Sequence, residues 1–152
     1  MLGRTYEREN CSAARALELV GERWSLLILR DAMFRGARRF TEFERSLGIA
    51  SNVLASRLEL FIENGLMEIR RAPDGAEVRE YVLTPKGLDL EPVIHALSAW
   101  GDKWAAPDGA PILYEHSRCD GAVHLDLRCE TCGDSVEPGE IVAVPGPGLQ
   151  RA

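Results

Sequence analysis

Residues 41–83 read TEFERSLGIASNVLASRLELFIENGLMEIRRAPDGAEVREYVL, and this stretch decides the fold. Its first part contains two short helical periods joined by Gly48-Ile49-Ala50, a glycine-containing turn of the length found in a helix-turn-helix. Thr41 and Glu44 have the spacing of a capping box for the first helix, and Ser51 is placed to cap the second. The pattern therefore predicts a helix-turn-helix.

The residues that follow predict a wing. Asn64-Gly65 ends the second helix, and alternating apolar and polar residues then occupy 66–70 and 78–83. Between them, Pro73-Asp74-Gly75 supplies the residue types of a tight turn. A hairpin directly after a helix-turn-helix predicts the α+β class and a winged helix-turn-helix domain.

Helices are also predicted on both sides of this motif. Ser12 precedes a helical period over 13–20, and a second period runs over 25–34. After the wing, Thr84-Pro85 begins one long amphipathic helix, in which Pro92 should produce a bend or a break.

The apolar face of that long helix ends in two tryptophans. Leu97, Trp100 and Trp104 follow one another at helical spacing. A face of this kind packs either on the core of its own domain or against a second chain, and the spacing by itself leaves both arrangements open.

The formal net charge of −6 is distributed unevenly along the chain. Residues 1–106 contain 15 basic and 16 acidic residues, whereas 107–152 contain 3 and 8. Because the proline- and glycine-rich segment 107–111 marks the change in composition, we predict one domain over 1–106 and a small tail module over 107–152. No internal repeat is predicted. The sequence offers no apolar run long enough for a membrane span and no signal core, so we expect a cytoplasmic protein.

Local basic patches, rather than net charge, indicate where DNA would bind. The second motif helix begins with small and polar residues that allow base edges to approach, and arginines before the motif and on the wing are suited to phosphates. The candidate DNA-binding residues are Arg38, Arg39, Ser51, Asn52, Ser56, Arg57, Arg70, Arg71 and Arg79. The alternatives are a solvated helix face and a hairpin made soluble by its charges.

The tail contains two pairs of residues that bind metals, each pair separated by two residues. This spacing suits one tetrahedral zinc ion, and so short a tail cannot otherwise build much of a core. We predict a small zinc-ribbon-like β tail with strands over 111–115 and 122–127 and a structural zinc ion. The candidate metal ligands are His116, Cys119, Cys129 and Cys132. The alternative is a metal-free tail whose cysteines are free or disulfide-linked.

Seven segments together resemble HxlR-type winged-helix transcriptional regulators, which are related to the MarR group. They are Cys11 with 14–17, 21–30, 38–43, 54–58, 64–66, 81–87 and 100–104. The resemblance implies a homodimer that binds a roughly palindromic operator in double-stranded DNA and regulates nearby genes. It also implies that the C-terminal helix is a dimerisation helix.

Cys11 is the candidate redox-sensing residue. It lies one residue before a predicted helix start, where the helix dipole favours the reactive thiolate. In the family that the chain resembles, a cysteine at this position often senses oxidants or electrophiles. The alternative is a small buried residue, and the sequence does not identify the effector.

Two other classes of function compete with DNA binding. One is a protein-interaction module, in which a degenerate winged helix is combined with a zinc-type docking tail. The other is a thiol–disulfide enzyme that uses Cys129 and Cys132, but no βαβ pattern surrounds this C-x-x-C. The sequence also has no Ser-His-Asp arrangement and no glycine-rich phosphate loop after a strand, so we expect that the chain is not an enzyme.

Overall fold

The winged helix-turn-helix predicted from residues 41–83 is confirmed in the computed structural model, which describes residues 6, 9–71 and 79–149. The described elements are α1 (Ser12–Val20), α2 (Ser25–Phe34), α3 (Phe40–Leu47), α4 (Ser51–Glu63), β1 (Met67–Arg71), β2 (Arg79–Leu83), α5 (Pro85–Leu88) and α6 (Glu91–Trp104). The strands are antiparallel, with Ile69 opposite Tyr81. The predicted turn Pro73-Asp74-Gly75 lies outside the described residues. None of the described helices combines the length and the apolar character that a membrane span requires.

The core lies where α2, α3 and α4 meet the start of the wing. Leu54, Leu58 and Phe61 recur along one side of α4 and are buried, as helical periodicity predicts. Ile28 and Phe43, from α2 and α3, belong to the same buried cluster. Each such side chain stabilises the fold by about 1.5–3 kcal/mol relative to an exposed position.

A buried carboxylate joins α2 to α3. Asp31 is fully buried, and its Oδ1 accepts from Arg30 Nη2 at 2.6 Å. Its Oδ2 accepts from Ser46 Oγ at 2.5 Å, and Arg35 Nη1 donates to the same hydroxyl at 3.0 Å. Since a buried charge is costly unless it is paired and hydrogen-bonded, these contacts fix the helix-turn-helix on the helix before it.

Glycine ends α3 at the turn of the motif. Gly48 has φ 61° and ψ 27°, the left-handed conformation that permits a sharp change of direction without a Cβ penalty. The predicted N-caps of α1, α3 and α4 were wrong, however. Thr41 and Ser51 lie inside α3 and α4, and Glu44 accepts a hydrogen bond from the Ser51 hydroxyl instead of closing a capping box. Likewise Ser12 is the first residue of α1, and Cys11 is its N-cap.

The predicted long C-terminal helix is two helices. Thr84 caps α5, because its Oγ1 accepts from the Gly87 N–H at 3.2 Å. The helix is interrupted after Leu88, at the end of α5. It resumes at Glu91 as α6, in which Pro92 is the second residue. In the first turn of a helix the missing proline N–H leaves no intrahelical bond unmade. The expected break at Pro92 therefore lies just before it.

The chain divides into two compact units, Met1–Ile94 and His95–Ala152. The division falls within α6 and not at the predicted boundary after residue 106. In the second unit the His95 and Tyr114 rings lie 4.4 Å apart, and Ser98 Oγ is 3.3 Å from the Tyr114 hydroxyl. These contacts associate the last part of α6 with the tail.

The tail differs from its prediction in two respects. In place of strands over 111–115 and 122–127, the described residues form isolated bridges, Glu115 with Ala122 and Arg128 with Ser135. These bridges belong to two copies of one structure, residues 114–123 and 127–136, which we call the first and second knuckle. The repeat lies in the backbone hydrogen bonds, so the side-chain sequence, in which no repeat is predicted, gives little sign of it.

The buried carboxylate leads to a test by mutation. Replacing Asp31 with Asn keeps the shape but places an amide N–H group against the donors Arg30 and Ser46, so we expect the free energy of unfolding to fall by about 1–3 kcal/mol. Urea unfolding followed by circular dichroism measures this change. As a control, Glu59→Gln on the exposed side of α4 should change stability by less than about 0.5 kcal/mol. Equal stabilities of both variants would contradict the role of Asp31.

Candidate nucleic-acid interface

The N-terminal half of α4 presents a polar surface. Ser51, Asn52 and Ser56 are exposed, whereas Leu54 and Leu58 are buried on the opposite side of the helix. Small exposed side chains allow base edges and phosphates to approach the helix closely, as its entry into the major groove requires. This half of α4 is the part of the motif best suited to base contacts.

Two of the predicted residues on α4 already have partners within the chain. The Ser51 hydroxyl donates to the Glu44 carboxylate, which ties the start of α4 to α3. Arg57 was expected to be exposed but is half-buried, and its Nη2 lies 3.4 Å from Ser56 Oγ. Asn52 is therefore the fully exposed side chain of this group with the richest hydrogen-bonding capacity.

The segment that leads into α3 carries Arg38 and Arg39. The Glu42 carboxylate accepts from the backbone N–H groups of Arg38 at 2.8 Å and Arg39 at 3.0 Å. These two hydrogen bonds lower the pKa of Glu42, so its carboxylate is charged near neutral pH. The Arg38 side chain is exposed, whereas Arg39 is half-buried and its Nη2 lies 3.8 Å from Glu80 Oε1.

The wing places two arginines directly opposite one another. Arg71 at the end of β1 pairs in register with Arg79 at the start of β2, and both are exposed. Like charges at opposed positions destabilise a hairpin, unless an anion lies between them. Arg70 differs from this pair, because its Nε donates to Glu68 Oε1 at 2.6 Å.

Backbone contacts hold the wing and the helix-turn-helix in one arrangement. Tyr81 N donates to Arg38 O at 2.7 Å, so β2 is bonded to the segment before α3. Thr84 Oγ1 donates to Gly65 O at 2.6 Å, and Lys86 Nζ donates to Asn64 O at 2.8 Å. These two bonds hold the Asn64-Gly65 turn that follows α4.

Gly87 was missed as a positioning residue. A Cβ at this buried glycine would lie 2.1 Å from Leu66 O, so no larger residue fits where α5 meets the start of the wing. The run Thr84-Pro85-Lys86-Gly87 therefore does more than begin a helix. The signal was present in the sequence as a glycine within a helix start, where it weakens the helix and needs a packing reason.

Cys11 lies apart from these residues in the sequence, at the start of α1. It is exposed, and its backbone is extended, with φ −136° and ψ 128°. The alternative of a small buried residue therefore does not fit the structure of the chain. Arg15, which was expected near this thiol, donates through Nη2 to Asn10 Oδ1 at 2.8 Å.

The four predicted metal ligands are brought together in two pairs. His116 Nδ1 lies 3.2 Å from Cys119 Sγ in the first knuckle. In the second knuckle the backbone N–H groups of Cys132 and Thr131 donate to the Cys129 thiol and lower its pKa. Within residues 6, 9–71 and 79–149, no three His, Cys, Asp or Glu side chains form a group that could hold a metal ion.

Comparison with known proteins places this geometry among transcriptional regulators. An HTH-type transcriptional regulator of Mycobacterium tuberculosis is 43% identical over 143 residues, which are 93% of this chain and 90% of the relative. The crystal structure of PA1607, a candidate transcription factor, superposes with a TM-score of 0.81 at 35% identity and covers 92% of this chain and 98% of its own. Both relatives include the tail.

YodB of Bacillus subtilis matches the winged helix without most of the tail. Its reduced form is 31% identical, has a TM-score of 0.53 and covers 65% of this chain and 98% of its own. Structures of YodB treated with diamide and bound to a quinone also match, each with a TM-score of 0.50.

The family comparison covers the same elements. The model of the HxlR-like helix-turn-helix family matches residues 19–109, which include α2 to α6 and the wing. Since the match covers more than half of the chain, and the relatives named here are regulators of the same type, this chain belongs to the HxlR-like helix-turn-helix family of transcriptional regulators.

Proposed function

We propose that this regulator binds a roughly palindromic operator in double-stranded DNA as a homodimer, with α4 as its recognition helix. The observation that carries the proposal is the polar face of α4, which is exposed beside a buried apolar face and begins directly after the tight turn at Gly48. In a helix-turn-helix, the start of the second helix is the part that contacts base edges.

The arginines supply the second part of the proposed contact. Arg38, before α3, and the opposed pair Arg71 and Arg79 would neutralise phosphates on either side of the groove that α4 enters. A phosphate between Arg71 and Arg79 would also relieve their mutual repulsion. The backbone hydrogen bond from Tyr81 of β2 to Arg38 holds the wing beside the segment that carries Arg38.

DNA binding can be tested by separating the two kinds of contact. Arg79→Ala should weaken binding to all duplexes alike and reduce the log–log salt slope by about 0.9, because one phosphate contact is lost. Asn52→Ala should instead lower the preference for the operator by about 1–3 kcal/mol, because a base contact is lost. Titrations by fluorescence anisotropy, with DNA from upstream of the gene and with a random duplex, measure both effects.

Arg23→Ala is the matched control, since Arg23 is exposed but lies outside the helix-turn-helix and the wing. It should leave both the salt slope and the operator preference unchanged. If neither Arg79→Ala nor Asn52→Ala alters binding, or if the wild-type chain binds no duplex at low salt, the domain is a protein-interaction module instead.

The homodimer is supported by an apolar stripe on α6. Leu97, Trp100 and Trp104 are 54%, 63% and 67% exposed, although their spacing places them on one side of the helix. Exposed tryptophans at this spacing are typical of a helix that packs on a partner helix. A second copy of the chain would cover them.

Assembly can be tested at Trp104. Because a central tryptophan commonly contributes 2 kcal/mol or more to an interface, Trp104→Ala should weaken the dimer by about 30-fold or more and weaken operator binding with it. Sedimentation equilibrium over a range of protein concentrations measures the change. Leu88→Ala, at an exposed apolar position on α5, should leave the association unchanged. A wild-type chain that is monomeric at about 10 μM would contradict the proposal.

We further propose that Cys11 makes the regulator sensitive to oxidants or electrophiles. The support is its exposed position at a helix start and the similarity to YodB, which has been solved reduced, treated with diamide and bound to a quinone. Treatment with diamide or a quinone should release wild-type protein from DNA, whereas Cys11→Ser should remain bound. Anisotropy before and after treatment tests this. Equal release of the variant would place the sensor at another residue.

A further inference from the structure

The two knuckles of the tail have the same backbone structure, offset by 13 residues. Val123 N donates to Tyr114 O at 2.9 Å, and 13 residues later Val136 N donates to Leu127 O at 2.7 Å. The inner bonds correspond in the same way: each knuckle closes a bond from its first metal-ligand residue to a carbonyl five residues on, His116 to Gly121 at 2.8 Å and Cys129 to Asp134 at 2.9 Å.

The turns inside the knuckles correspond as well. Asp120 has φ 56° and Gly133 has φ 76°, and each follows directly after a cysteine. Their N–H groups donate back to His116 O and Cys129 O, both at 2.9 Å. Outside glycine, a left-handed residue is uncommon and is best tolerated by Asp and Asn. The same unusual turn thus recurs at the two places where a pair of metal-binding side chains occurs.

Each turn brings the two metal-binding side chains of its pair close together. In the first knuckle, His116 Nδ1 and Cys119 Sγ are 3.2 Å apart, close to the roughly 3.5 Å that separates a nitrogen and a sulfur ligand on one tetrahedral zinc ion. In the second, backbone N–H groups of Thr131 and Cys132 point at the Cys129 sulfur. The Cys132 side chain also lies within hydrogen-bonding reach of this sulfur, so the second pair, like the first, is held at one turn.

The tail needs a source of stability other than a core. From residue 107 to 149, all of which the structure describes, no side chain is buried, and Leu113 and Val144 are each 77% exposed. A segment of this size without a core depends on a disulfide, a metal ion or a partner for its order. The four cysteines of the chain are free in the structure, so a metal ion would supply the missing constraint.

We propose that the two knuckles bind one structural Zn²⁺ per chain, through His116 Nδ1 and the thiolates of Cys119, Cys129 and Cys132. The described side chains lie in two separate pairs, so binding would require the two pairs to move together. With Nδ1 on the metal, Nε2 carries the ring proton, and the exposed Arg118 guanidinium that lies 3.3 Å from it would turn to solvent. Four Cys and His ligands close a tetrahedral site and leave no open position, so the ion would be structural.

The metal content of the full chain tests the proposal. Protein purified without a chelator should contain about one zinc ion per chain by elemental analysis. Cys129→Ser and His116→Ala should lose this metal, whereas His116→Cys should retain it, because a fourth thiolate replaces the imidazole. The controls His124→Ala and Cys11→Ser alter a neighbouring histidine and a distant cysteine, and both should keep one zinc ion.

A structural readout separates this site from adventitious metal. If zinc holds the knuckles together, a chelator should speed tryptic cleavage after Arg118 and Arg128 by at least about 10-fold in the wild type. It should have no such effect on Cys129→Ser, which would be cleaved rapidly with or without chelator.

Several outcomes would overturn the proposal. The first is protein that contains no zinc and gives no thiolate-to-cobalt absorption when Co²⁺ is added. The second is a Cys129–Cys132 disulfide instead of a zinc site. The third is tryptic cleavage whose rate the chelator does not change. One zinc ion per two chains would also overturn it, because the site would then lie between two copies. None of these measurements uses DNA, so a failure here is distinguishable from a failure of operator binding.

Discussion

The buried Asp31 carboxylate is the contact on which the position of the DNA-binding motif depends. It lies on α2 beside the buried apolar side chains Ile28 and Leu29, and it accepts from Arg30 on its own helix and from Ser46 on α3. Apolar contacts tolerate small sliding movements, whereas a desolvated charge requires its donors at fixed positions. Asp31 therefore fixes the position of α3 on α2 as well as stabilising their contact. Because the turn at Gly48 is short, the position of α3 in turn determines where α4 begins.

From that anchor, a chain of polar contacts leads outward to the wing. The Ser51 hydroxyl ties α4 to Glu44 of α3, and the Thr84 hydroxyl and the Lys86 ammonium bind the carbonyls at the far end of α4. Those carbonyls belong to Asn64 and Gly65, so the two bonds fix the turn that ends α4 against the residues that follow β2. The proposed DNA contacts on α4 and on the wing are thus held by the same set of bonds.

The two units of the chain are stabilised in different ways. The first has a continuous apolar core, whereas the tail has no buried side chain between residues 107 and 149. The relatives that include the tail, one from Mycobacterium tuberculosis and PA1607, match more than nine-tenths of this chain. The tail is therefore a shared module and not an irregular extension, and the repeated knuckles give it a regular structure of its own.

Much of the first unit could be predicted because its signals are local. Left-handed glycines at 48 and 65 end α3 and α4, and the apolar period of α4 gives its buried side directly. The helix caps were predicted less well, since a hydroxyl such as that of Ser51 can bond its own backbone or a neighbouring carboxylate with similar energy. The choice of Glu44 depends on α3 lying beside it.

The sequence by itself determined the order of the elements as far as the wing, with its helix-turn-helix, and the identity of the residues proposed to bind DNA or metal. These follow from backbone preferences and from periodicities that act over a few residues. Tertiary structure decided which of those residues are exposed, as with the half-buried Arg57, and which polar groups meet across the fold, as at Asp31. It also decided the repeat in the tail, where residues 114–123 and 127–136 share few side chains but close the same hydrogen bonds. A backbone can repeat while its side chains differ, because each bond joins groups that every residue except proline carries.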